Sequence, residues 1–508
     1  MSTARPRTVI AWRAALAVAL AAGCARVATS PTPSTDASSP IASGVDAATV
    51  DENAGADASS DVEPVVLQID PDGNDDEEDP GSGKLPEVAR WEKVGTPPLA
   101  LTRICDLTPF DGALYMAHAN VPLGTDGATI TRYRPEDGSA ANGKGRFSVA
   151  FDWNRPGEPV KGGGAGQGFL RVRAIGGRLF VPDADPPYGG LGLVDGAEGY
   201  VFVSDEKGKF APPRSPHFRP PGPPELRPDA GARAGAGILP RAYHVIDVIR
   251  YRGALYASTG SVPPKERAWH GPSPGALHRA NESGSRWTYE VDYPYPWKDG
   301  VWRLTYMVRF KDRLYAGIQD YDGRDPYDYV YFEPEPTDGG PTVLRREDVR
   351  PVRVTRHGGS GTLRWWVDTR ARPPRLYWLA WTREGIALRV TTDGDRWAVV
   401  PMPDDAGRPT DVTRFRDAVV VLTERGLHRL DGPAIDGPWR APDDGVADVT
   451  VKLVAPVDEP ADGGAPPKKK KKSPFEVSDF FCTAPLAVLN DVLYAGGQRG
   501  GSLYRLVE

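Results

Sequence analysis

The chain has 508 residues, 40 % hydrophobic and 26 % charged, with 57 Gly, 52 Pro and only three Cys. It is long enough to bury a large core and too poor in Cys to be a disulfide-held miniature. The formal charge of −6 is unevenly placed: residues 1–24 carry +3, residues 25–80 carry −13 and residues 81–508 carry +4. The bulk of the chain is therefore near neutral and lacks the basic face that a nucleic-acid binder needs.

The first predicted element is a secretory signal over residues 1–23, with Arg5, Arg7 and Arg13 ahead of the apolar run Ala14 to Ala22. It is too short for a stable membrane span. Its end, Leu20-Ala21-Ala22-Gly23-Cys24, resembles the lipobox of bacterial lipoproteins, which implies a lipid on Cys24 and attachment to a membrane. Ala25 resembles the sorting signal for the outer membrane. Residues 24–85 are rich in Ser, Thr, Pro, Ala and acidic residues and poor in aromatics, so a lipid-anchored disordered tether is expected. The acidic run Asp70 to Asp79 fails the EF-hand pattern, because Asp75 stands where Gly is required.

From Leu85 onward one phrase recurs seven times, an apolar stretch, a tight turn, then Leu-Tyr-Ala or a close variant. The copies are Phe110 to Tyr115, Ile175 to Phe180, Tyr251 to Tyr256, Phe310 to Tyr315, Arg372 to Tyr377, Phe415 to Val420 and Leu489 to Tyr494. Each reads as a β-hairpin. Third strands follow, as in Gly275 to Arg279, Gly426 to Leu430 and Gly501 to Leu506, and fourth strands carry Trp, as in Arg286 to Val291 and Arg396 to Val400. Four strands per unit, repeated, predict an all-β fold, a single β-propeller of seven four-stranded blades over residues 86–508. The last unit ends after its third strand at Glu508. Arg90-Trp91-Glu92-Lys93-Val94 matches the missing fourth, so the N-terminal strand is expected to close the ring. Insertions are expected at 204–240 and 458–476. The second contains Lys468 to Lys472, read as a solvated loop.

Several residues stand out against this repeat. Cys105 and Cys482 fall in the inner strands of the first and last units, neighbours in a closed ring, where a disulfide is an expectation alongside two buried thiols. Counting eight residues back from the inner-strand Leu (Val419 in the sixth unit) gives a column of carboxylates, Asp106, Asp247, Asp368 and Asp411, with Arg171, Tyr306 and Pro485 in the other units. Such a column suits either a channel-mouth binding site or hydrogen bonding within the repeat. The loops between second and third strands and between blades are long, and the hairpin turns opposite them are minimal. Recognition is therefore expected on the long-loop face, through Tyr188, Trp269, His270, Asp320, Tyr321, Arg324 and Tyr327. The seven His show no zinc spacing and no cofactor is expected, a divalent cation at the channel-mouth carboxylates being the one alternative left open. His278 and His428 share one slot and read as structural, while His118 and His244 stand near the channel mouth. There is no nucleophile elbow, phosphate loop or dinucleotide fingerprint.

Thr391-Thr392-Asp393-Gly394-Asp395-Arg396-Trp397, and more loosely Asn281 to Trp287, resemble the Asp-box turns of sialidase-like, or BNR-repeat, propellers. That resemblance implies a fold and no activity by itself. Arg103-Ile104-Cys105 stands where true sialidases carry Arg-Ile-Pro, and the rest of their catalytic set is not found. The expected function is that of a monomeric outer-membrane lipoprotein, held to the membrane through its N-terminal lipid, whose propeller binds a glycan or an envelope protein. The alternative is a glycan-active hydrolase or lyase using the channel-mouth carboxylates.

Overall fold

A computed structural model describes residues 79–99, 101–119, 128–136, 145–152, 168–184, 198–210, 235–261, 272–281, 284, 286–321, 325–335, 342–437, 445–457, 472–477 and 481–508. All belong to one of the two units into which the chain divides, Gln68–Glu508, and everything below concerns that unit.

The fold is all-β and propeller-like, built from small antiparallel sheets. After β1 (Arg90–Gly95), the first sheet is β2 (Ile104–Phe110), β3 (Ala113–His118), β4 (Thr129–Pro135) and β5 (Gly145–Asp152). The second is β6 (Arg173–Ile175), β7 (Arg178–Pro182), β8 (Glu198–Val203) and β9 (Gly235–Pro240). An eight-stranded sheet follows: β10 (Ala242–Tyr251), β11 (Ala254–Ser261), β12 (Gly275–Ala280) and β13 (Trp287–Tyr293), with β14 (Trp302–Phe310), β15 (Arg313–Asp320), β16 (Tyr329–Phe332) and β17 (Val349–Val352). Then come β18 (Gly361–Asp368), β19 (Arg375–Thr382), β20 (Gly385–Thr391) and β21 (Ala398–Val399), and after them β22 (Pro409–Phe415), β23 (Ala418–Thr423), β24 (Gly426–Asp431) and β25 (Thr450–Pro456). The last sheet is β26 (Leu486–Leu489), β27 (Val492–Gly496) and β28 (Leu503–Val507), with β1 as its outer strand, Trp91 opposite Leu506.

The described strands thus make five four-stranded sheets and one eight-stranded sheet, where seven separate sheets were expected. The reason is local. The β11–β14 pairing that joins the two halves of the large sheet is the single pair Gly260 and Arg303.

The hairpins form where the turn residues permit positive φ. Asp111 and Gly112 adopt φ of 47° and 66°, and Asn490 and Asp491 adopt 50° and 62°, the sign that two-residue turns need to match strand twist. Alternating side chains of each sheet pack against the sheets on either side. The buried apolar residues of the described region fall into seven clusters, each shared by successive groups of four strands, one of them reaching on to Cys105, Ala119, Leu170, Ala184, Ile246 and Cys482. One of them packs Leu107, Leu114 and Met116 of the first sheet against Ala487, Leu489 and Tyr494 of the last.

Three boundaries differ from the sequence reading. Packing begins before residue 86: Leu85 is buried, and its N–H donates to Asp417 at 2.8 Å. Residues 235–240 are not insertion but β9, pairing with β8 along its length. Phe475, placed within the 458–476 insertion, is buried between Trp91 and Tyr504.

Candidate functional site

Each inner strand with a full ladder carries a β-bulge near its start. The register slips between Ile104 and Asp106, Val245 and Asp247, Leu304 and Met307, Thr362 and Arg364, and Pro409 and Asp411. Bulges re-aim the side chain beside them. Here they bring Asp106, Asp247, Arg364 and Asp411 into one layer around the channel, with Arg171 and Arg173 from the second sheet.

The layer is a chain of alternating charge. Arg364 donates to Asp106 at 3.0 Å and stands 3.9 Å from Asp411. Arg171 donates to the same Asp106 oxygen at 3.1 Å and stands 3.8 Å from Asp247. Arg173 closes on Asp247 through two bonds of 2.9 and 2.8 Å. Each of these carboxylates also accepts a backbone N–H from the next group of four strands: Val172, just before β6, on Asp106 at 3.0 Å, Met307 on Asp247 at 2.8 Å and Leu486 on Asp411 at 2.8 Å. Asp106 and Asp411 therefore clamp neighbouring sheets together, and Asp247 clamps β10 to β14 within the eight-stranded sheet. Burial alone would raise the Asp247 carboxyl, but Arg173, Arg171 and the Met307 N–H outweigh it and hold it below its ordinary value. At Asp411 burial wins over Arg364 and the two backbone N–H groups, and the carboxyl is pushed up.

Asp368 does not join this layer. It pairs across the hairpin with Arg375 at the far end of β18 and binds Arg414 through bonds of 3.1 and 2.6 Å. The physical reason is turn length. Six residues, 369–374, separate β18 from β19 where the first sheet uses two, so counting back from Leu376 lands four residues late. Arg364 holds the equivalent place.

The layer divides the channel. On the long-loop side Cys105 and Cys482 form a disulfide with Cα atoms 4.7 Å apart. They lie with Ala119, Leu170, Ala184, Ile246 and Tyr306 in one buried apolar cluster, against which Phe481 packs. The Tyr306 hydroxyl donates to the Phe481 carbonyl, and Gln498 donates to the Ile104 carbonyl at 2.6 Å. That end is plugged at its centre. On the short-turn side the channel widens into a cavity of about 440 Å³ that runs from the charged layer to the hairpin turns. Sequence reasoning had not looked there for a site.

Away from the axis, the long-loop face carries Asp320 and Tyr321 at the end of β15, followed by Asp325 and Tyr327. Asp320 accepts the Asp325 N–H at 2.9 Å. Asp325 accepts the Tyr327 N–H at 3.0 Å and the Tyr293 hydroxyl at 3.0 Å. Burial pushes the Asp325 carboxyl up. The Tyr321 ring is 41 % exposed and has the Arg303 guanidinium 4.8 Å from its centroid. Arg303 donates to His244 Nε2 at 2.6 Å, while His244 Nδ1 donates to the Ala184 carbonyl at 2.9 Å, so the imidazole is neutral and its tautomer is set by its partners. A second ring, Tyr295, is 59 % exposed with Arg346 3.6 Å from its centroid, and Arg346 is held by Asp292 at 3.0 and 3.1 Å. Tyr295, Arg303 and Arg346 were missed because the arginines come from other segments than the rings they meet. Tyr188, Trp269, His270, Arg324 and Cys24 lie outside the described residues.

His118, His278 and His428 are buried structural groups, whereas His357 is exposed beside Glu384 at 3.3 Å. His118 donates to the Arg103 carbonyl and accepts from Thr131, both at 2.7 Å, and burial lowers its pKa to about 4. His278 is likewise lowered to about 4, and His428 is lowered too. Among the described residues no group of three or more His, Cys, Asp or Glu could hold a metal ion. The two Asp-box-like turns are held by side-chain bonds to the backbone, with different partners for their Trp. Asp393 accepts the N–H groups of Asp395 and Arg396 at 2.9 and 2.8 Å, and Trp397 Nε1 donates to the Tyr329 hydroxyl at 2.9 Å. In the looser copy, Asn281 accepts the Arg286 N–H at 3.1 Å and Trp287 donates to the Gly284 carbonyl at 2.9 Å.

No protein-family model and no curated protein matches the chain. Solved structures resemble it. A catalytically inactive virginiamycin B lyase from Staphylococcus aureus with quinupristin aligns at TM-score 0.41 and 7 % identity, over 83 % of this chain and 99 % of that one. The periplasmic gluconolactonase of Pseudomonas aeruginosa aligns at 0.39 and 14 %, over 73 % and 98 %. An α-L-arabinanase of Penicillium chrysogenum aligns at 0.32 and 10 %, over 84 % and 99 %. At these identities the likeness is one of fold.

Proposed function

We propose that this chain is an exported lipoprotein, anchored to the outer membrane through a lipid on Cys24, whose propeller binds a glycan or an envelope protein on its long-loop face. The observation that carries the binding reading is the pair of exposed rings, Tyr295 and Tyr321, each backed by an arginine that is itself anchored. Rings fixed in this way offer an apolar platform with hydrogen-bond donors beside it and lose little freedom on binding. A disulfide supports an oxidising compartment. The eight-stranded sheet counts as two blades joined by one residue pair. The seven inter-sheet clusters support seven blades, and the two Asp-box-like turns support a degenerate sialidase-like type.

A thermal-shift screen of the protein against glycans and envelope polysaccharide fragments tests the reading, since a ligand of the native state raises Tm by mass action. A hit that disappears in Tyr295→Ala and Tyr321→Ala is the expected result. A flat screen, with envelope proteins captured by wild type and not by those variants, selects the protein ligand. Absence of both ends the reading. For the anchor, Cys24→Ala should move the protein from the membrane to the soluble fraction.

The second reading, a glycan hydrolase or lyase working through Asp106, Asp247, Asp368 or Asp411, is favoured by one observation, the raised carboxyl of Asp411. The clamping contacts of all four oppose it. Polysaccharide cleavage by wild type that is lost in a folded Asp411→Asn variant would establish it.

A further inference from the structure

The cavity on the short-turn side is not part of the loop-face reading, and its chemistry is distinct. It is walled by inner-strand residues such as Val172, Ala174, Trp366 and Val412, and its base is the charged layer of Arg171, Arg364, Asp106 and Asp411. Its volume of about 440 Å³ falls within the range of roughly 300–1,000 Å³ usual for small-molecule sites.

Two features define what it would hold. The lining is charge-balanced, with four arginines and four aspartates, so neither an anion nor a cation finds a net counter-charge to offset its desolvation. Yet the base is short of hydrogen-bond partners. The Nε–H groups of Arg171 and Arg364, both side chains more than nine-tenths buried, have no acceptor, and the carboxylates of Asp247 and Asp411 stand too far off at 3.8 and 3.9 Å. Both nitrogens are enclosed within the layer, and Asp247 is not part of the cavity lining. Asp411 in turn accepts one backbone N–H on each oxygen, which leaves lone pairs on both. Alternating donors and acceptors match hydroxyl groups, which donate and accept at once. The aliphatic wall residues match the C–H faces of a sugar ring.

We infer that this cavity is a binding site for a neutral polyhydroxylated small molecule of mono- to disaccharide size, entering between the hairpin turns on the face opposite the long loops. Asp491 in the last hairpin turn and Asp79 in the N-terminal lead-in line its outer part. Ser82 N–H donates to Asp491 at 2.7 Å, so the lead-in and the cavity rim are joined.

Calorimetric titration of the full-length protein with a panel of hexoses, pentoses, their disaccharides and inositol tests the inference, with acetate, phosphate and putrescine as charged probes. Saturable binding of a neutral member and none of the charged probes is expected. Ala174→Phe, which fills the cavity from a half-buried wall position, should weaken that binding at least tenfold while Lys452→Ala, on the outer strand β25, leaves it unchanged. Trp366→Phe, a milder change should the first variant fail to fold, should weaken it several-fold. The inference is overturned by binding of the charged probes alone, or by no saturable sugar binding to the folded protein. It is also overturned by sugar binding that survives both cavity variants and disappears in Tyr321→Ala, an outcome that places the sugar on the loop face and leaves that reading standing.

Discussion

The two ends of the central channel are made from the same inner strands, yet one is closed by an apolar cluster around a disulfide and the other is left as a polar-floored cavity. On the long-loop side, the segment before β26 brings Phe481 and Cys482 onto the axis and fixes them to Cys105. On the short-turn side nothing comparable crosses the centre among the described residues, where every inner hairpin but β18–β19 turns in two residues. Loop length thus favours recognition at the periphery of one face and a void at the middle of the other.

Changes to the layer between the two ends should have the largest effect. Asp247→Ala strands Arg173 and leaves the Met307 N–H without its acceptor, and a loss of ~3–5 kcal/mol in urea unfolding is expected. A much smaller loss would mean that the sheets do not depend on the clamp. Breaking the plug with Cys105→Ser and Cys482→Ser should cost ~2–5 kcal/mol by the same measurement. Equal melting with and without a reductant would show that the plug holds without its covalent bond.

Acid should weaken the fold on its own. His118 and His278 have folded pKa values near 4 against 6.5 in the unfolded chain, so the unfolded state takes up protons first. Stability should be full above pH 6.5 and fall as pH drops toward 4, by up to roughly 3 kcal/mol for each histidine. Urea melts at pH 7, 5.5 and 4 test this, and His118→Asn should flatten the profile. Asp368→Ala should cost only ~1–3 kcal/mol, because Arg414 keeps Asp436 at 3.1 Å. That contrast with Asp247 separates the layer from its look-alike. Smallest of all, Tyr321→Ala should change stability by ~0.5 kcal/mol or less, as expected of an exposed platform.

Much of this architecture was legible because hairpins announce themselves locally. Every one of the seven repeated phrases falls on an inner hairpin, and the Trp91 strand pairs where its likeness to the other fourth strands suggested. What escaped was set by register. Arg171 stood in the right column but seemed an exception to a row of carboxylates, when alternation of sign is what builds the layer. Arg364 was hidden by a turn four residues longer than its counterparts, and Asp368 took its place in the count. The cavity had no signature in the chain at all, since a void is defined by six inner strands converging from distant parts of the sequence.

One consequence of the closing sheet concerns synthesis rather than stability. Glu92 and Arg505, paired at 2.8 Å, are 413 residues apart, and Cys105 waits 377 residues for Cys482. Among the described strands β1 therefore waits for β28, as Cys105 waits for Cys482. A chain stopped before Cys482 would lack both partners together, exposing a bare sheet edge and a free thiol. The sheet carries its own test: only a molecule translated through β28 can shut it.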